Sequence, residues 1–231
     1  MDRSPVFPSA LVFDMDGVLI DSNPFHLEKW AEFLVEQSVP HTHKELMEHV
    51  LGHHNDHTFR YFFGDKFTNE EMSKLREGME ASFRQAFGAH AKPLPGLTAL
   101  MAECHAASIP MAVASSAIRN NVEFVADALG FRPYFRCILS ADHVEYPKPH
   151  PEIYLRTAQM LGFPPSACIA FEDSTVGIES AKRAGMVCVA IASTFPADEL
   201  RRHGQADLIA ETFEELNLEK LRALPVVQGE R

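Results

Sequence analysis

The sequence lacks a surplus of basic residues, and this absence bears on its partners. Lysine and arginine total 21 against 32 aspartate and glutamate residues, which gives a formal net charge of -11. Nucleic acids and anionic membrane surfaces bind proteins largely through lysine and arginine, so we expect neither as a partner. A protein of this charge can bind a phosphorylated metabolite only if it concentrates cations and backbone amides locally.

Long apolar runs and paired cysteines are also absent. The longest apolar stretch, 186–192, is far shorter than the roughly 20 residues that span a bilayer, and 1–10 lacks a basic start followed by an apolar run. The cysteines are scattered without a C-x-x-C pair, at Cys104, Cys137, Cys168 and Cys188. We therefore predict a cytoplasmic protein with buried, reduced thiols, and neither a disulfide framework nor a zinc site is favoured.

Short apolar runs bounded by Gly, Pro, Ser or Asp recur along the chain and predict buried parallel strands. These runs are 10–13, 111–114, 137–139, 168–171 and 187–191. Between them, apolar residues recur every three or four positions, which predicts helices. The helical segments are 97–107, 121–129 and 151–161. This alternation predicts an α/β fold with a doubly wound, Rossmann-like parallel sheet at its core.

The segment between the first two predicted strands is much longer than one crossover requires. We predict that 22–92 is an inserted α-helical cap domain and that 1–21 and 93–231 form the α/β catalytic core. Helical spacing within the insertion predicts helices over 24–36, 44–50, 57–63 and 69–87. Thr42 and Asn69 are the predicted N-caps of two of these helices.

Two aspartates follow the first predicted strand, where ligands bind in sheets of this kind. Asp14 and Asp16 are two residues apart in extended chain, so both carboxylates point to one side. Close carboxylates repel, and the repulsion either raises a pKa or recruits a cation, which suits an acid/base pair or a Mg²⁺ site. A pair of solvated loop acids is the alternative, and Gly17 suits a turn in either case.

The other strands end in residues that suit phosphate and metal binding. Ser115 and Ser116 follow the second strand, and Ser115 can donate to a phosphate oxygen. Lys148 supplies a compact positive charge, while Glu172 and Asp173 offer the hard oxygen ligands that Mg²⁺ prefers. Each also has a structural explanation, as a helix cap, a surface charge or an acid at a helix start. Their convergence at one edge of the sheet favours the functional interpretation.

Five segments together resemble the motifs of the haloacid dehalogenase superfamily in order and spacing. They are 14–22, Ser115, 148–149, 172–177 and 181–186. The resemblance covers nearly the whole chain and is strongest for the beta-phosphoglucomutase-like subfamily with a helical cap. It implies Mg²⁺-dependent phosphoryl transfer on a small phosphorylated metabolite.

The resemblance also implies a role for each acidic residue. Asp14 would be the nucleophile that forms an aspartyl-phosphate, and Asp16 would be the general acid and base. Mg²⁺ would be held by Asp14, Asp173 and the backbone carbonyl of Asp16, with Glu172 as a direct or indirect ligand. An acid at position 16 favours phosphoryl transfer, because dehalogenase members of the superfamily lack one there.

Further residues are expected to contact the substrate. Ser115 and Lys148 would neutralise the oxygens of the transferring group. By the same resemblance, His26 matches a histidine beside the acid/base aspartate, where its N–H would orient Asp16 or the substrate. Ser116 is a further predicted substrate-binding residue. His26 has an alternative interpretation as a histidine on a helix surface.

Asn55 bears on the choice between a phosphatase and a mutase. Beta-phosphoglucomutases carry a phosphate-binding arginine just beyond a cap glycine, and Asn55 stands at that position here. Without a fixed cation a second phosphate is held poorly, although Arg60 or Arg84 could substitute. We therefore expect a phosphatase for a sugar or polyol phosphate, as a monomer or small homo-oligomer. A sugar phosphomutase and a non-catalytic phospho-ligand binding protein are the alternatives.

Half of the 12 histidines fall within 41–57. His53 and His57 have the i, i+4 spacing that can bind a metal on a helix. A solvated cap surface is the favoured interpretation, because no cysteine or acidic pattern accompanies them. Some of these histidines could instead face the substrate.

Overall fold

The structure, a computed structural model, describes residues 8–88, 91–203 and 205–226. Within these residues, six strands form one sheet. They are β1 (Ala10–Phe13), β2 (Met111–Ala114), β3 (Phe135–Leu139), β4 (Cys168–Glu172), β5 (Val187–Ile191) and β6 (Leu208–Ala210). Their order is β3-β2-β1-β4-β5-β6, and all neighbouring strands are parallel. The carboxyl ends of all six strands therefore lie at the same edge.

Helices fill the segments between the strands in the described part of the chain. They are α1 (Asn23–Glu36), α2 (His43–His49), α3 (Asn55–Phe63), α4 (Asn69–Phe87), α5 (Leu97–Ala106), α6 (Arg119–Ala128), α7 (Glu152–Leu161), α8 (Thr175–Arg183), α9 (Ala197–His203) and α10 (Leu218–Arg222). Helices α5, α6 and α10 contribute to the apolar cluster on one sheet face, and α7 and α8 to the cluster on the other. The predicted doubly wound α/β fold is confirmed.

Strand β1 lies at the centre of the sheet and is apolar on both faces. Leu11 and Phe13 enter one apolar cluster, whereas Ala10 and Val12 enter the other. Phe13 stacks on Phe171 of the neighbouring strand β4, with ring centroids 4.7 Å apart. Each such buried side chain contributes roughly 1.5–3 kcal/mol. This packing fixes the end of β1, and with it the position of the first aspartate.

Most predicted elements agree with the observed ones. Strands β1, β2 and β5 have the predicted bounds, while β3 begins two residues earlier and β4 includes Glu172. Strand β6 was not predicted, because its three residues are too few for a recognisable apolar run. The predicted N-cap Thr42 is confirmed, with its hydroxyl accepting from the Glu45 amide. Asn69 is wrong as an N-cap, because Thr68 has the extended backbone and accepts from the Glu71 amide.

Helices α1 to α4 follow one another between β1 and α5, and their buried apolar side chains join the clusters on the two faces of the sheet. The Trp30 ring packs edge-on against Phe59 with centroids 4.9 Å apart, and Leu34 is fully buried beside them. This set of helices is called the cap below. That 22–92 forms a separate domain, set against 1–21 and 93–231, stays a prediction.

No helix in the described ranges is long and apolar enough to cross a membrane. Cys104, Cys168 and Cys188 are buried free thiols, as predicted, but Cys137 is only half-buried. Burial raises the pKa of Cys104 and Cys168 to about 12. Their sulfurs are therefore protonated and unreactive at neutral pH.

Candidate active site

The loop after β1 brings Asp14 against the end of β4. The Asp14 amide donates to the Phe171 carbonyl at 3.0 Å, which continues the pairing of the two strands. Gly17 has φ +72°, and a Cβ at this position would lie 1.9 Å from Asp173 Oδ2. Only glycine fits this approach without displacing the carboxylate. The turn therefore seats Asp173 beside the loop that carries both aspartates.

Three carboxylates meet at this edge of the sheet. Asp14, Glu172 and Asp173 are buried, and one oxygen from each lies within 4.8 Å of the others. The pKa of Asp14 is raised to about 7, chiefly by burial; Lys148 opposes this rise, and Glu172 and Asp16 contribute to it. Burial also raises the pKa of Asp173, with Glu172 and Asp14 adding to the effect.

These three acids suit a divalent metal ion. Lys148 is the single lysine or arginine in contact with them in the described part of the chain, so three ionised carboxylates would leave a local charge of minus two. Buried charge of this kind is costly unless it is compensated. Hard carboxylate oxygens at close spacing are the ligands that Mg²⁺ prefers. The Asp16 side chain is not part of this cluster, and a contribution from its backbone carbonyl stays a prediction.

Lys148 lies at the centre of the site and is almost completely buried. Its Nζ lies 2.8 Å from Asp14 Oδ1, 2.6 Å from Glu172 Oε1 and 3.0 Å from the Ala114 carbonyl. Burial acts to lower the pKa of Lys148, but Asp14 and Glu172 overcome it and raise the pKa above its usual value. Tyr154, which the sequence analysis missed, donates its hydroxyl to Glu172. Lys148 is therefore a fixed positive charge beside Asp14.

Asp16 is paired with a histidine rather than with the acidic cluster. Its Oδ1 lies 3.3 Å from His26 Nε2 and also accepts from the Ser22 hydroxyl. Burial acts to raise the pKa of Asp16, but these two donors lower it overall. Burial acts to lower the pKa of His26, but Asp16 and Glu80 raise it. The His26 ring also stacks on Phe83 with centroids 4.6 Å apart, so the pair is held in place from the cap.

Asp173 is oriented by two residues that the sequence analysis did not assign. Asn23 Nδ2 donates to Asp173 Oδ2 at 2.8 Å, and the Thr194 hydroxyl donates to the same oxygen. Asn23 begins α1 and Thr194 follows β5. Thr194 lies just beyond the end of a strand, which is the one signal that could have identified it.

The two predicted serines differ in their positions. Ser116 lines the cavity, and its hydroxyl donates to the Gly52 carbonyl of the cap at 3.3 Å. Ser115 is buried and is not among the described residues that line the cavity, and its Oγ accepts from the Ala117 amide at 3.0 Å. A serine hydroxyl can donate while its oxygen accepts, so this hydrogen bond is compatible with a donor role. The predicted role of Ser115 stays a prediction.

The cap lines the opposite side of the cavity. Its lining residues include Trp30, Gly52, His53, Asn55 and Glu80. The structure brings Asn55 to the site, as predicted, and adds Glu80, which the sequence analysis missed. Glu80 could have been suspected only as an acid at a core-facing position of a helix.

Other candidate cations of the cap lie elsewhere. Arg60 is exposed, and Arg84 donates to Asn121 Oδ1 at 2.5 Å. Among the described residues, neither arginine lines the cavity. Among the described residues that line the cavity with Asn55, none is an arginine that could replace the expected phosphate-binding one.

His53 and His57, whose spacing would suit a metal-binding pair on a helix, do not lie on the same helix. His53 precedes the start of α3, and its ring stacks on the His57 ring with centroids 4.0 Å apart. His49 Nδ1 lies 3.3 Å from His57 Nε2. Burial, His57 and His49 lower the pKa of His53 to about 4. In the described residues, the acidic cluster is the one group of three side chains placed to hold a metal.

Comparison with known proteins identifies the family. Residues 11–191 match the model of the haloacid dehalogenase-like hydrolases. The chain is similar to the fructose-1-phosphate phosphatase YqaB of Escherichia coli, with 31% identity over 78% of this chain and 95% of that protein. It is also similar to glycerol-1-phosphate phosphohydrolase 1 of Saccharomyces cerevisiae, with 32% identity over 93% of this chain and 86% of that protein.

The fold is shared with a solved structure of beta-phosphoglucomutase from Clostridium difficile. The TM-score is 0.82 at 23% identity, over 93% of this chain and 95% of that chain. This similarity concerns the α/β core together with the inserted helices. The protein belongs to the haloacid dehalogenase-like hydrolase family, has the beta-phosphoglucomutase-like fold, and is an enzyme of the phosphatase type.

Proposed function

We propose that the protein is a Mg²⁺-dependent phosphatase that hydrolyses a small sugar or polyol phosphate through an aspartyl-phosphate on Asp14. The observation that carries this proposal is the contact of Asp14 with Lys148 beside Glu172 and Asp173, at the mouth of a cavity. A carboxylate nucleophile, a fixed cation and a divalent metal site are the parts that phosphoryl transfer needs.

In the first step, an Asp14 carboxylate oxygen forms a bond to phosphorus while the bond to the leaving oxygen breaks. Lys148 fixes Asp14 Oδ1, and within the described residues Oδ2 accepts no hydrogen bond, so this oxygen is available to attack. Asp16 gives the leaving oxygen its proton. His26 Nε2 lies 3.3 Å from Asp16 Oδ1 and would orient this carboxyl group toward the leaving oxygen.

In the second step, water attacks phosphorus, Asp16 takes its proton and Asp14 is released. Lys148 and Ser115 neutralise the oxygens of the transferring group in both steps. Mg²⁺ would be held by Asp14, Asp173 and the Asp16 carbonyl, with Glu172 nearby, and would supply positive charge to the phosphoryl oxygens.

The names of two relatives support the proposed substrate class. Fructose-1-phosphate phosphatase and glycerol-1-phosphate phosphohydrolase are both named for small phosphorylated hydroxy compounds. The position of Asn55 and the absence of Arg60 and Arg84 from the described lining of the cavity favour hydrolysis over a mutase reaction. A cytoplasmic location and a monomeric or small oligomeric state stay predictions from the sequence.

A panel of phosphate monoesters, assayed with and without Mg²⁺, tests the proposal. We expect Mg²⁺-dependent release of phosphate, and a loss of at least about 10³-fold in Asp14→Asn. Asp21→Asn is the matched control, because Asp21 is exposed at the end of the same loop. Retained turnover in Asp14→Asn would refute the nucleophile assignment.

The same panel separates the alternatives. Interconversion of glucose phosphate isomers that depends on a bisphosphate would favour the mutase. Tight phosphate binding without hydrolysis of any ester would favour the non-catalytic binding protein.

A further inference from the structure

A buried carboxylate lies in the cavity on the side opposite the nucleophile. Glu80, on α4 of the cap, is 6% exposed and lines the same cavity as Asp14 and Lys148. Acids are rarely buried without a cationic partner. Both hydrogen-bond partners of Glu80 within the described residues are neutral amides, those of Asn55 and Asn121. His26 acts on Glu80 as a favourable charge, but no hydrogen bond joins the two side chains within the described residues, so the carboxylate keeps acceptor positions that face the cavity.

The two amides fix the carboxylate in one orientation. Asn55 Nδ2 donates to Oε1 of Glu80 at 2.6 Å, and Asn121 Nδ2 donates to Oε2. Arg84 donates to Asn121 Oδ1, which sets the direction of that amide. Burial raises the pKa of Glu80, whereas His26 and the two amide donors oppose this rise and favour the ionised carboxylate, whose two oxygens both accept here.

An ionised carboxylate has about four acceptor positions, and the two amides of the protein occupy two of them. The remaining positions suit donors from a ligand in the cavity. The hydroxyl groups of a sugar or polyol are donors, whereas a second phosphate group is anionic and mainly an acceptor at neutral pH. Beyond Lys148, the described lining of the cavity contains no lysine or arginine that would offset this repulsion.

We infer that Glu80 is a specificity-determining residue, which accepts hydrogen bonds from the hydroxyl groups of a monophosphate substrate and repels a second phosphate. Asn55 orients Glu80 and lies beside the same part of the substrate. This inference rests on the proposed phosphatase function. It assigns to Glu80 the selection of the substrate within that site. It also gives a physical reason for hydrolysis over mutase chemistry, because a bisphosphate would place negative charge against Glu80.

The test uses two substrates that differ only in hydroxyl groups, glycerol 1-phosphate and propyl phosphate. In the wild-type enzyme with Mg²⁺, we expect kcat/KM for glycerol 1-phosphate to exceed that for propyl phosphate by at least about 10-fold. Glu80→Gln should reduce this preference about 10-fold, chiefly through KM. Its kcat/KM for propyl phosphate should change less than about threefold.

Inhibition by fructose 1,6-bisphosphate is the second readout. We expect weak inhibition of the wild type, and inhibition at least about 10-fold tighter in Glu80→Gln, because the repulsion is removed. Glu77→Gln is the matched control, since Glu77 lies on the same helix but is exposed. It should leave both the substrate preference and the inhibition unchanged.

Three results would overturn the inference. An equal loss on both substrates in Glu80→Gln would assign Glu80 to cap stability, and an unchanged preference would remove it from the site. If Glu80→Gln does not fold, the wild-type measurements test the inference. Equal kcat/KM for the two substrates, or tight inhibition of the wild type by fructose 1,6-bisphosphate, would contradict it. Absence of Mg²⁺-dependent hydrolysis of either ester by the wild type would instead refute the proposed function itself.

Discussion

Lys148 Nζ and Glu172 Oε1 form an ion pair at 2.6 Å, and neither side chain is more than 3% exposed. Because Lys148 also contacts Asp14, this one ammonium group compensates two buried carboxylates. Loss of one partner of a buried pair leaves an uncompensated charge, which is far more costly than loss of a surface pair. The stability of the core and the chemistry of the site therefore depend on the same side chain.

Lys148→Met should lower the free energy of unfolding of the metal-free protein by about 3–5 kcal/mol. The measurement is urea unfolding in the presence of a chelator. Lys44→Met is the control, because Lys44 and Glu48 form an exposed pair at 3.5 Å, and its loss should cost about 0.5 kcal/mol or less. Equal effects of the two substitutions would contradict the compensating role of Lys148.

Asp16→Asn should separate the two chemical steps. Turnover of a sugar or polyol phosphate should fall by about 10²–10⁴-fold, because the leaving oxygen needs a proton. With p-nitrophenyl phosphate the leaving group departs without one, so the first step should survive while the second is slow. Rapid mixing should then show a burst of nitrophenolate stoichiometric with enzyme. Steady turnover at the wild-type rate on both substrates would exclude Asp16 as the acid and base.

Mg²⁺ should stabilise the folded protein through the acidic cluster. At a concentration 100 times Kd, a ligand adds about 2.7 kcal/mol, which for a chain of this size raises Tm by roughly 5–10 °C. Asp173→Asn should lose this shift, whereas Asp198→Asn, at an exposed position, should keep it. An equal shift in Asp173→Asn would place the metal elsewhere.

The binding of Mg²⁺ should also depend on pH. A metal ligand must be deprotonated, and burial raises the pKa of Asp14 to about 7. Protons therefore compete with Mg²⁺ increasingly as the pH falls below about 7. Titration calorimetry at several pH values should show a weaker apparent affinity and proton release at the lower ones.

His53 should make the protein less stable in acid. Its pKa is held at about 4 in the folded state, chiefly by burial, against about 6.5 in the unfolded chain. Protonation therefore favours the unfolded chain, so the stabilisation is present above about pH 6.5 and is lost as the pH falls towards 4. In His53→Gln, the midpoint of urea unfolding should depend less on pH across this range than it does in the wild type. His43→Gln, at an exposed position, should leave this pH dependence unchanged, and a weaker pH dependence in His43→Gln instead would contradict the prediction.

The sequence was sufficient to predict the α/β architecture because its signals are local. Strand β1 is apolar on both faces, and the residues after it sit at the binding edge of any parallel sheet. The order of Asp14, Lys148 and Asp173 along the chain therefore placed them at one site without knowledge of their contacts. Short elements gave no such signal, as β6 illustrates.

Residues that act through orientation were not predictable. Tyr154 and Asn23 donate hydrogen bonds to Glu172 and Asp173, yet each lies in an ordinary sequence context. Glu80 reaches the cavity because α4 packs its inward face against the core, and helix periodicity does not reveal which inward position meets a ligand. Which of Asn55, Arg60 and Arg84 lines the cavity likewise became clear only from the contacts between cap and core.

Trp30 lines the cavity and is the single tryptophan of the chain. Its indole is buried against Phe59, beside the groups proposed to select the substrate. Tryptophan emission from this protein therefore has one origin, at the cleft itself. Changes in intensity or wavelength on adding a metabolite report occupancy and cap movement in the unlabelled enzyme, including inactive variants whose turnover cannot be followed.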